Sequence, residues 1–191
     1  HSIAFGTLKP MLSKDKNLSL NSKNIDMTLS VMGSSLVYWT QDLYENNLIT
    51  KGSQIFSMTS AGGRKQWKSY GAVSMAKATL ESASRQLAVE LAPYGIGVNA
   101  IQAGVTDTPA LRKIPGNKEM IEHATKNNPS GRLTTPNDIA DYIALITKSD
   151  NSWMTGNTIR IDGGEDIDTC KIIDEQNSDI VIKCESNLTE N

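Results

Sequence analysis

Three side chains, Ser60, Tyr70 and Lys77, have the types and the spacing that proton donation to a bound ligand could use. Tyr70 and Lys77 are seven residues apart, so on a helix they share a face and lie about 10 Å apart along the axis. A tyrosine hydroxyl can donate a proton, but its ordinary pKa of about 10 needs a nearby cation to be useful at neutral pH. Lysine supplies that cation and can also donate hydrogen bonds to ribose hydroxyls. Spacing alone does not distinguish such a pair from an ordinary helix surface, so the surrounding elements must decide.

The apolar pattern predicts the elements that would position these side chains. Residues 53–59 are typical of a buried strand that ends just before Ser60. An alanine-rich helix is predicted over residues 72–91, where it would carry Lys77, and Pro93 and Gly95 would end it. The serine would then lie at the carboxyl end of a strand, where ligands of open α/β sheets bind.

The other predicted elements alternate between helices and strands. They are a helix with apolar positions at Ile25, Leu29, Met32, Leu36, Trp39 and Leu43, capped by Asp26, a strand over 98–101, a polar helix over 117–127, a helix from Thr135 to about Lys148, and a strand over 157–162. Thr135, Pro136 and Asp138 provide an N-cap, a first-turn proline and an acidic third position. This alternation predicts an α/β fold, a doubly wound, Rossmann-like parallel sheet covered on both faces.

The composition of the 191 residues is that of one soluble globular domain. The 19 Lys and Arg residues nearly balance 21 Asp and Glu residues, which argues against a nucleic-acid or anionic-membrane partner. No apolar stretch approaches the roughly 20 residues that span a bilayer, and no secretory signal is present. Cys170 and Cys184 are interpreted as reduced thiols, which favours a cytoplasmic location. No residues have metal-ligand spacing, and His123 is interpreted as a solvated side chain on a polar helix.

Charge divides the chain near residue 166. Residues 166–191 hold seven acidic residues and two lysines, a net charge of −5, which leaves +3 for residues 1–165. We therefore expect a domain over residues 1–165 followed by an acidic C-terminal extension over 166–191. A short strand is possible at residues 180–182, but a solvated extension is the favoured interpretation.

The residues around Ser60, Tyr70 and Lys77 resemble the catalytic half of short-chain dehydrogenase/reductases. The further matching motifs are Gly97-Val98-Asn99-Ala100-Ile101-Gln102-Ala103-Gly104 and Ile161-Asp162-Gly163-Gly164. The Tyr-x6-Lys spacing, in place of the superfamily's usual Tyr-x3-Lys, resembles the enoyl-[acyl-carrier-protein] reductase branch. The openings His1-Ser2-Ile3-Ala4-Phe5 and Gly104-Val105-Thr106-Asp107-Thr108 are similar to that branch too, and the resemblance covers about residues 1–166.

The resemblance implies a role for each matching residue. Tyr70 would be the proton donor or enolate stabiliser, and Lys77 would hold the nicotinamide ribose. Ser60 stands where many enoyl reductases have a second tyrosine and others have a serine, and Gly6 would contact substrate. The remaining cofactor contacts would come from Ile3, Thr106 (through backbone atoms), Asp107, Thr108 (through its hydroxyl), Pro109 and Ala110. Residues 111–129 match the family's mobile substrate-binding lid and are called the lid segment below.

A glycine-rich phosphate loop of the G-x-G-x-x-G type, which follows the first strand of such a fold, does not occur in the sequence. We therefore expect the chain to be the C-terminal two-thirds of the domain, with three strands and their helices before His1. The residue that chooses between NAD and NADP lies about 20 residues past that loop, so this choice stays open.

The implied function is NAD(P)H-dependent reduction of an enoyl thioester, carried by acyl carrier protein, in fatty-acid synthesis. The resemblance also implies a homotetramer. Two alternatives remain. One is a 3-oxoacyl or other carbonyl reductase on the same scaffold, and the other is a truncated, non-catalytic remnant that serves as an assembly module.

Overall fold

The computed structural model describes residues 1–148, 152–167, 170–173 and 181–184. The helices are α1 (Ser22–Leu29), α2 (Ser35–Glu45), α3 (Gly71–Leu91), α4 (Asn117–Asn127) and α5 (Pro136–Thr147). The strands are β1 (Gln54–Ser60), β2 (Gly97–Ala103), β3 (Thr158–Ile161), β4 (Cys170–Ile173) and β5 (Val181–Cys184). The predicted alternation of helices and strands up to residue 162 is confirmed.

Strands β1, β2 and β3 form a parallel sheet in that order. The register pairs Ser60 with Ala103 and Ala103 with Ile161, so the three strands end side by side. At the other edge of β1, the His1 carbonyl oxygen accepts a hydrogen bond from the Met58 amide at 2.9 Å. The predicted α/β class, a Rossmann-like parallel sheet with flanking helices, is therefore confirmed.

Helix α3 packs across β1 and β2 and supplies much of the core. Ser84 of α3 and Ser57 of β1 share a buried hydrogen bond of 2.9 Å between their hydroxyls. The main apolar cluster joins α2, α3 and β2 through Leu36, Leu80, Leu87, Ala88, Leu91, Ile96 and Val98. Burying a leucine or isoleucine side chain contributes roughly 1.5–3 kcal/mol, so this cluster fixes α3 against the sheet. The position of Lys77 relative to Ser60 follows from that packing.

The start of α1 differs from the prediction. Asn21 caps the helix, and Asp26 lies inside it and is exposed. The Asn21 side chain accepts a hydrogen bond from the Asn24 amide at 2.9 Å, and the Asn24 side chain accepts one from the Asn21 amide at 3.3 Å. This reciprocal pair satisfies two backbone donors that a helix beginning at Asp26 would leave without partners.

A π-helical turn, Ser30–Ser34, joins α1 to α2. Such a turn inserts a residue into the α-helical repeat and rotates everything that follows it. Trp39, placed on the buried stripe by the apolar pattern, is 59% exposed, whereas Thr40 is buried. The prediction is therefore wrong for Trp39, because the stripe assumed an uninterrupted α-helix.

The start of α5 agrees with the prediction. The Thr135 hydroxyl accepts a hydrogen bond from the Asp138 amide at 3.4 Å, and the Asp138 carboxylate accepts one from the Thr135 amide at 2.7 Å. Arg132 donates two hydrogen bonds to the same carboxylate, at 2.8 and 2.9 Å, and this is the main cause of the lowered pKa of Asp138. The cap fixes the end of α5 that lies at the cavity described below.

Strands β4 and β5 pair antiparallel, with Cys170 opposite Cys184. The sequence favours a solvated extension here, and the structure differs by placing these two β-branched segments in a ladder. The cysteine side chains lie outside the described ones, so their reduced state stays a prediction, as does the domain boundary near residue 166.

The described ranges contain neither a membrane-spanning helix nor a cluster of metal-binding side chains. Within those ranges, no helix combines the length and the apolar character that crossing a bilayer requires. In the same part of the chain, no group of three or more His, Cys, Asp or Glu side chains could hold a metal ion.

Candidate active site

A cavity of about 1060 Å³ opens at the carboxyl ends of β1 and β2. Ser60, Tyr70 and Lys77 all line it, so the structure brings the three predicted catalytic side chains together. The N-terminal segment contributes Ser2, Ala4, Gly6 and Leu8 to the wall. Helices α4 and α5 contribute Met120, His123, Ala124, Asn127, Pro136, Ile139, Ala140 and Ile143. The wall is mostly apolar with a few converging polar groups, as is usual for a small-molecule site.

Tyr70 is held at the entrance to α3. The preceding residue, Ser69, has a φ of 64°, in the left-handed region that a non-glycine residue adopts only under local constraint. The Tyr70 carbonyl oxygen accepts the helical hydrogen bond from the Ser74 amide at 2.8 Å. The ring lies on Gly62, where an added Cβ would stand 2.6 Å from Tyr70 Cε1. Gly62 therefore has to lack a side chain for Tyr70 to occupy its place.

The environment of Tyr70 keeps its hydroxyl protonated. Burial raises its pKa, and the neighbouring Ser60 hydroxyl lowers it in part. Ser60 Oγ is buried beside the Tyr70 hydroxyl and has no other hydrogen-bond partner among the described residues.

Lys77 is only 8% exposed and lies beneath Tyr70 on α3. Its Nζ donates a hydrogen bond to the Met58 carbonyl oxygen at 2.7 Å. Burial lowers the pKa of Lys77 to about 8, and the charge of Glu81 one turn later opposes this effect. Glu81 is itself held by the Thr59 hydroxyl, which donates to its Oε1 at 2.6 Å. At neutral pH the ammonium is charged and keeps donors for a ligand in the cavity.

The loop after β2 is only partly directed into the cavity. Of the predicted cofactor residues, Thr106, Thr108 and Ala110 line it, while Asp107 and Pro109 are exposed. The carboxylate of Asp107 accepts two hydrogen bonds from Arg112, at 2.8 and 2.9 Å, which lower its pKa. The structure therefore does not bring Asp107 or Pro109 to the cavity wall.

The hydroxyls of the same loop already have partners in its backbone. Thr106 Oγ1 donates to the Gly104 carbonyl oxygen at 3.0 Å, and Thr108 Oγ1 accepts from the Leu111 amide at 3.1 Å. A Cβ at Gly104 would collide with Thr134 Oγ1, so the loop can leave β2 this closely only with glycine there.

The N-terminal segment places Gly6 and Ile3 differently. Gly6 lines the cavity, and a Cβ there would lie 2.8 Å from Thr28 Cγ2 and 2.9 Å from both Met32 Sδ and Val73 Cγ2. Ile3 does not line the cavity, because side chains of an extended segment alternate and Ser2 and Ala4 point to that side instead. The cofactor contact of Ile3 therefore stays a prediction that the geometry does not support.

The lid segment covers the cavity with a short 3₁₀ turn, Leu111–Lys113, and with α4. Trp67, in the loop between β1 and α3, donates from Nε1 to the Pro115 carbonyl oxygen at 3.1 Å. His123 is exposed, in agreement with the sequence interpretation, but it also borders the cavity. The sequence around Trp67 does not indicate that it belongs to the site, since its partner lies 48 residues away.

The fold and the geometry of Ser60, Tyr70 and Lys77 place the chain in the short-chain dehydrogenase/reductase superfamily. The family model described as enoyl-(acyl carrier protein) reductase matches residues 1–165. The chain therefore belongs to the enoyl-(acyl carrier protein) reductase family.

Individual relatives cover most of this chain but are longer. The enoyl-[acyl-carrier-protein] reductase [NADH] FabI of Buchnera aphidicola subsp. Baizongia pistaciae is 30% identical over 167 residues, which are 87% of this chain and 63% of that protein. The enoyl-[acyl-carrier-protein] reductase (NADH) structure from Aquifex aeolicus VF5 matches with a TM-score of 0.77 and 29% identity, over 87% of this chain and 64% of that one. The Bacillus cereus enoyl-acyl carrier protein reductase with NADP⁺ has a TM-score of 0.76 and 26% identity, over 86% and 62%. This chain thus spans less than two thirds of their length.

Proposed function

We propose that this chain is the catalytic part of an NAD(P)H-dependent reductase of enoyl thioesters carried by acyl carrier protein, in fatty-acid synthesis. The observation that carries the proposal is the convergence of Ser60, Tyr70 and Lys77 on one cavity. The names of the relatives support the substrate class, since they are reductases of enoyl-acyl-carrier-protein.

The cavity fits the nicotinamide half of a dinucleotide. Lys77 Nζ donates one hydrogen bond to Met58, and its remaining donors are available for ribose hydroxyls. Gly104 has no side chain and so leaves room for a ligand to approach the loop after β2 closely. When bound, the nicotinamide supplies a hydride. One relative is named with NADH and another was solved with NADP⁺, so the proposal covers both cofactors.

The chemistry proposed for the side chains follows from where charge develops. When hydride reaches the β-carbon of an enoyl thioester, negative charge develops on the carbonyl oxygen two carbons away. Tyr70, whose pKa burial raises, is neutral at pH 7 and can donate to that oxygen, with Ser60 as a second donor. Relative to a Tyr-x3-Lys spacing, Tyr70 stands about 4.5 Å farther from Lys77 along the helix. This displacement suits an oxyanion that is remote from the attacked carbon.

A substrate comparison tests the proposal. The full product of the gene that encodes this chain would be assayed with crotonyl and acetoacetyl thioesters and with either reduced dinucleotide. We expect kcat/KM to be higher for the crotonyl thioester. Preference for the acetoacetyl thioester would indicate the carbonyl-reductase alternative, and turnover of neither would indicate the non-catalytic remnant.

The proposal includes a cytoplasmic homotetramer. Large apolar side chains on the outer faces of α2 and α3 support assembly, since Trp39 is 59% exposed and Val89 is 71% exposed. Sedimentation of the full gene product should show a tetramer, and Trp39→Glu should shift it towards smaller species. A stable monomer at micromolar concentration would contradict the assembly.

A further inference from the structure

The turn after β3 brings two carboxylates to the cavity wall, and neither belongs to the proposed catalytic set. Gly163 and Gly164 have φ values of 65° and 85°, in the left-handed region that favours glycine. Asp162 closes the turn, because its Oδ1 accepts from the Gly164 amide at 3.0 Å and its carbonyl oxygen accepts from the Glu165 amide at 3.2 Å. The chain therefore turns so that Glu165 and Asp166 both line the cavity.

Glu165 holds the start of the loop after β2. Its Oε2 accepts a hydrogen bond from the Val105 amide at 2.8 Å. The Val105 carbonyl oxygen accepts from the Thr134 amide at 3.2 Å, so both backbone polar groups of Val105 are used. A Cβ at Gly104 would lie 2.8 Å from the same Glu165 oxygen, which shows how closely the carboxylate fits against the loop. Without this acceptor, the Val105 amide would lose its hydrogen-bond partner in a half-buried place.

Asp166 anchors the segment that carries Glu165. Its side chain is 3% exposed, accepts from Gln102 Nε2 at 3.0 Å, and pairs with Lys65 Nζ at 2.6 Å and with Arg64. Burial would raise the pKa of Asp166, but the hydrogen bonds from Lys65 and Gln102 and the nearby positive charges lower it to about 2. These partners belong to β2 and to the loop after β1, so the carboxylate is tied to the carboxyl end of the sheet.

We propose that Glu165 is a positioning residue: through the Val105 amide it sets the place of the loop over residues 105–110, and Asp166 is its anchor. The inference rests on the proposed function, which assigns that loop to the nicotinamide. Glu165 acts through the loop backbone, and its hydrogen bond to the Val105 amide would have to break for the loop to move away from the turn.

Hydrogen exchange resolved to the Val105 amide tests this in the full gene product. In Glu165→Ala the exchange should be about tenfold faster or more, because the acceptor is gone. Glu165→Gln keeps an acceptor oxygen and should stay within about threefold of the unaltered protein. The dissociation constant for the reduced dinucleotide should rise about fivefold or more in Glu165→Ala and recover in Glu165→Gln. Glu90→Ala, exposed at the far end of α3, is the matched control and should change neither quantity.

Two outcomes would overturn the inference. One is equal Val105 exchange in Glu165→Ala and the unaltered protein, and the other is faster exchange with unchanged dinucleotide affinity. If Glu165→Ala does not fold, Asp166→Asn decides, since loss of the anchor should also speed Val105 exchange and an unchanged rate would refute the idea. A protein that binds dinucleotide but reduces no enoyl thioester would refute the proposed function and leave this inference standing.

Discussion

Burial shifts the pKa values of Tyr70 and Lys77, two of the ionisable groups that line the candidate site, in opposite directions. It raises the pKa of Tyr70 and lowers that of Lys77, because in each case it disfavours the charged form. At neutral pH the tyrosine is therefore a neutral hydrogen-bond donor. The lysine remains a cation, although its pKa of about 8 lies only slightly above neutral pH. This combination suits a site in which the hydroxyl meets a developing oxyanion and the ammonium holds a polar ligand.

Replacing Tyr70 with Phe should lower kcat about a hundredfold or more while changing KM little, because the hydroxyl acts mainly in the transition state. The measurement is steady-state kinetics of the full gene product with the crotonyl thioester. Tyr38→Phe, at an exposed tyrosine of α2, is the matched control. Near-normal turnover in Tyr70→Phe would remove Tyr70 from the mechanism.

The lowered pKa of Lys77 predicts that the stability of the folded chain depends on pH. Its pKa is about 8 in the folded chain and 10.5 when unperturbed, so between these values the folded state has released a proton that the unfolded state still binds. The titration of Lys77 therefore raises the free energy of unfolding by about 3 kcal/mol in total as the pH rises from about 8 to 10.5.

The test is the difference in unfolding free energy between the unaltered protein and Lys77→Met, measured by denaturant titration at several pH values from 8 to 10.5. Groups that titrate alike in both proteins cancel in this difference, and the lost hydrogen bond to Met58 adds an offset that does not change with pH. We expect the stability of Lys77→Met relative to the unaltered protein to fall by about 3 kcal/mol across the window. A difference that does not vary with pH would show that Lys77 has an ordinary pKa.

At the residue scale, the sequence was sufficient to group the candidate side chains that lie close together along the chain. Ser60, Tyr70 and Lys77 lie within 18 residues of one another, and the structure brings them to one cavity. The sequence analysis assigns Asp166 to the acidic extension and Glu165 to the last position of the domain before it. It gives neither residue a role, because their hydrogen-bond partners lie 60 to 102 residues away and leave no local signal.

At the scale of elements, Gly33 is the point of close packing against α3. It lies in the π-helical turn that joins α1 to α2. A Cβ on Gly33 would stand 3.1 Å from the Ala76 carbonyl oxygen and 3.1 Å from Thr79 Cβ and Cγ2. The apolar pattern predicted a helix here correctly but not the inserted residue, since a four-and-three spacing fits both a regular helix and one with a π-turn. The cap of α5 was predictable because Thr135 and Pro136 carry local signals, whereas the cap of α1 lies at Asn21 and not at the predicted Asp26.

Gly33→Ala should therefore destabilise the protein. Alanine is favoured over glycine inside a helix by about 1 kcal/mol, but forcing two packed backbones apart costs roughly 1–3 kcal/mol. The crowding should prevail, and urea denaturation should show a net loss of about 1 kcal/mol. Ser30→Ala, exposed in the same turn, is the control. A stabilised Gly33→Ala protein would mean that the two helices can separate without cost.

For the whole molecule, the important fact is that the chain spans 62% to 64% of the three relatives named above. Its cavity holds the residues that the proposed function assigns to a nicotinamide and a substrate, while the sequence contains no G-x-G-x-x-G loop to meet a pyrophosphate.

The 191-residue chain expressed alone should accordingly bind neither NADH nor NADPH with useful affinity. Fluorescence titration of the purified chain measures this directly, and the full gene product titrated in parallel is the comparison. Micromolar binding by the 191 residues alone would show that the residues around Lys77 and Thr108 are sufficient for the dinucleotide.

The hydrogen bond from Trp67 to Pro115 also has an optical consequence. The other two tryptophans, Trp39 and Trp153, are 59% and 96% exposed, so water surrounds much of each indole whatever the lid segment does. Trp67 is 36% exposed, and its ring nitrogen gives its proton to a backbone carbonyl of that segment. The wavelength and intensity of its emission depend on that hydrogen bond, so a change in the contact between Trp67 and Pro115 would alter the fluorescence of the chain.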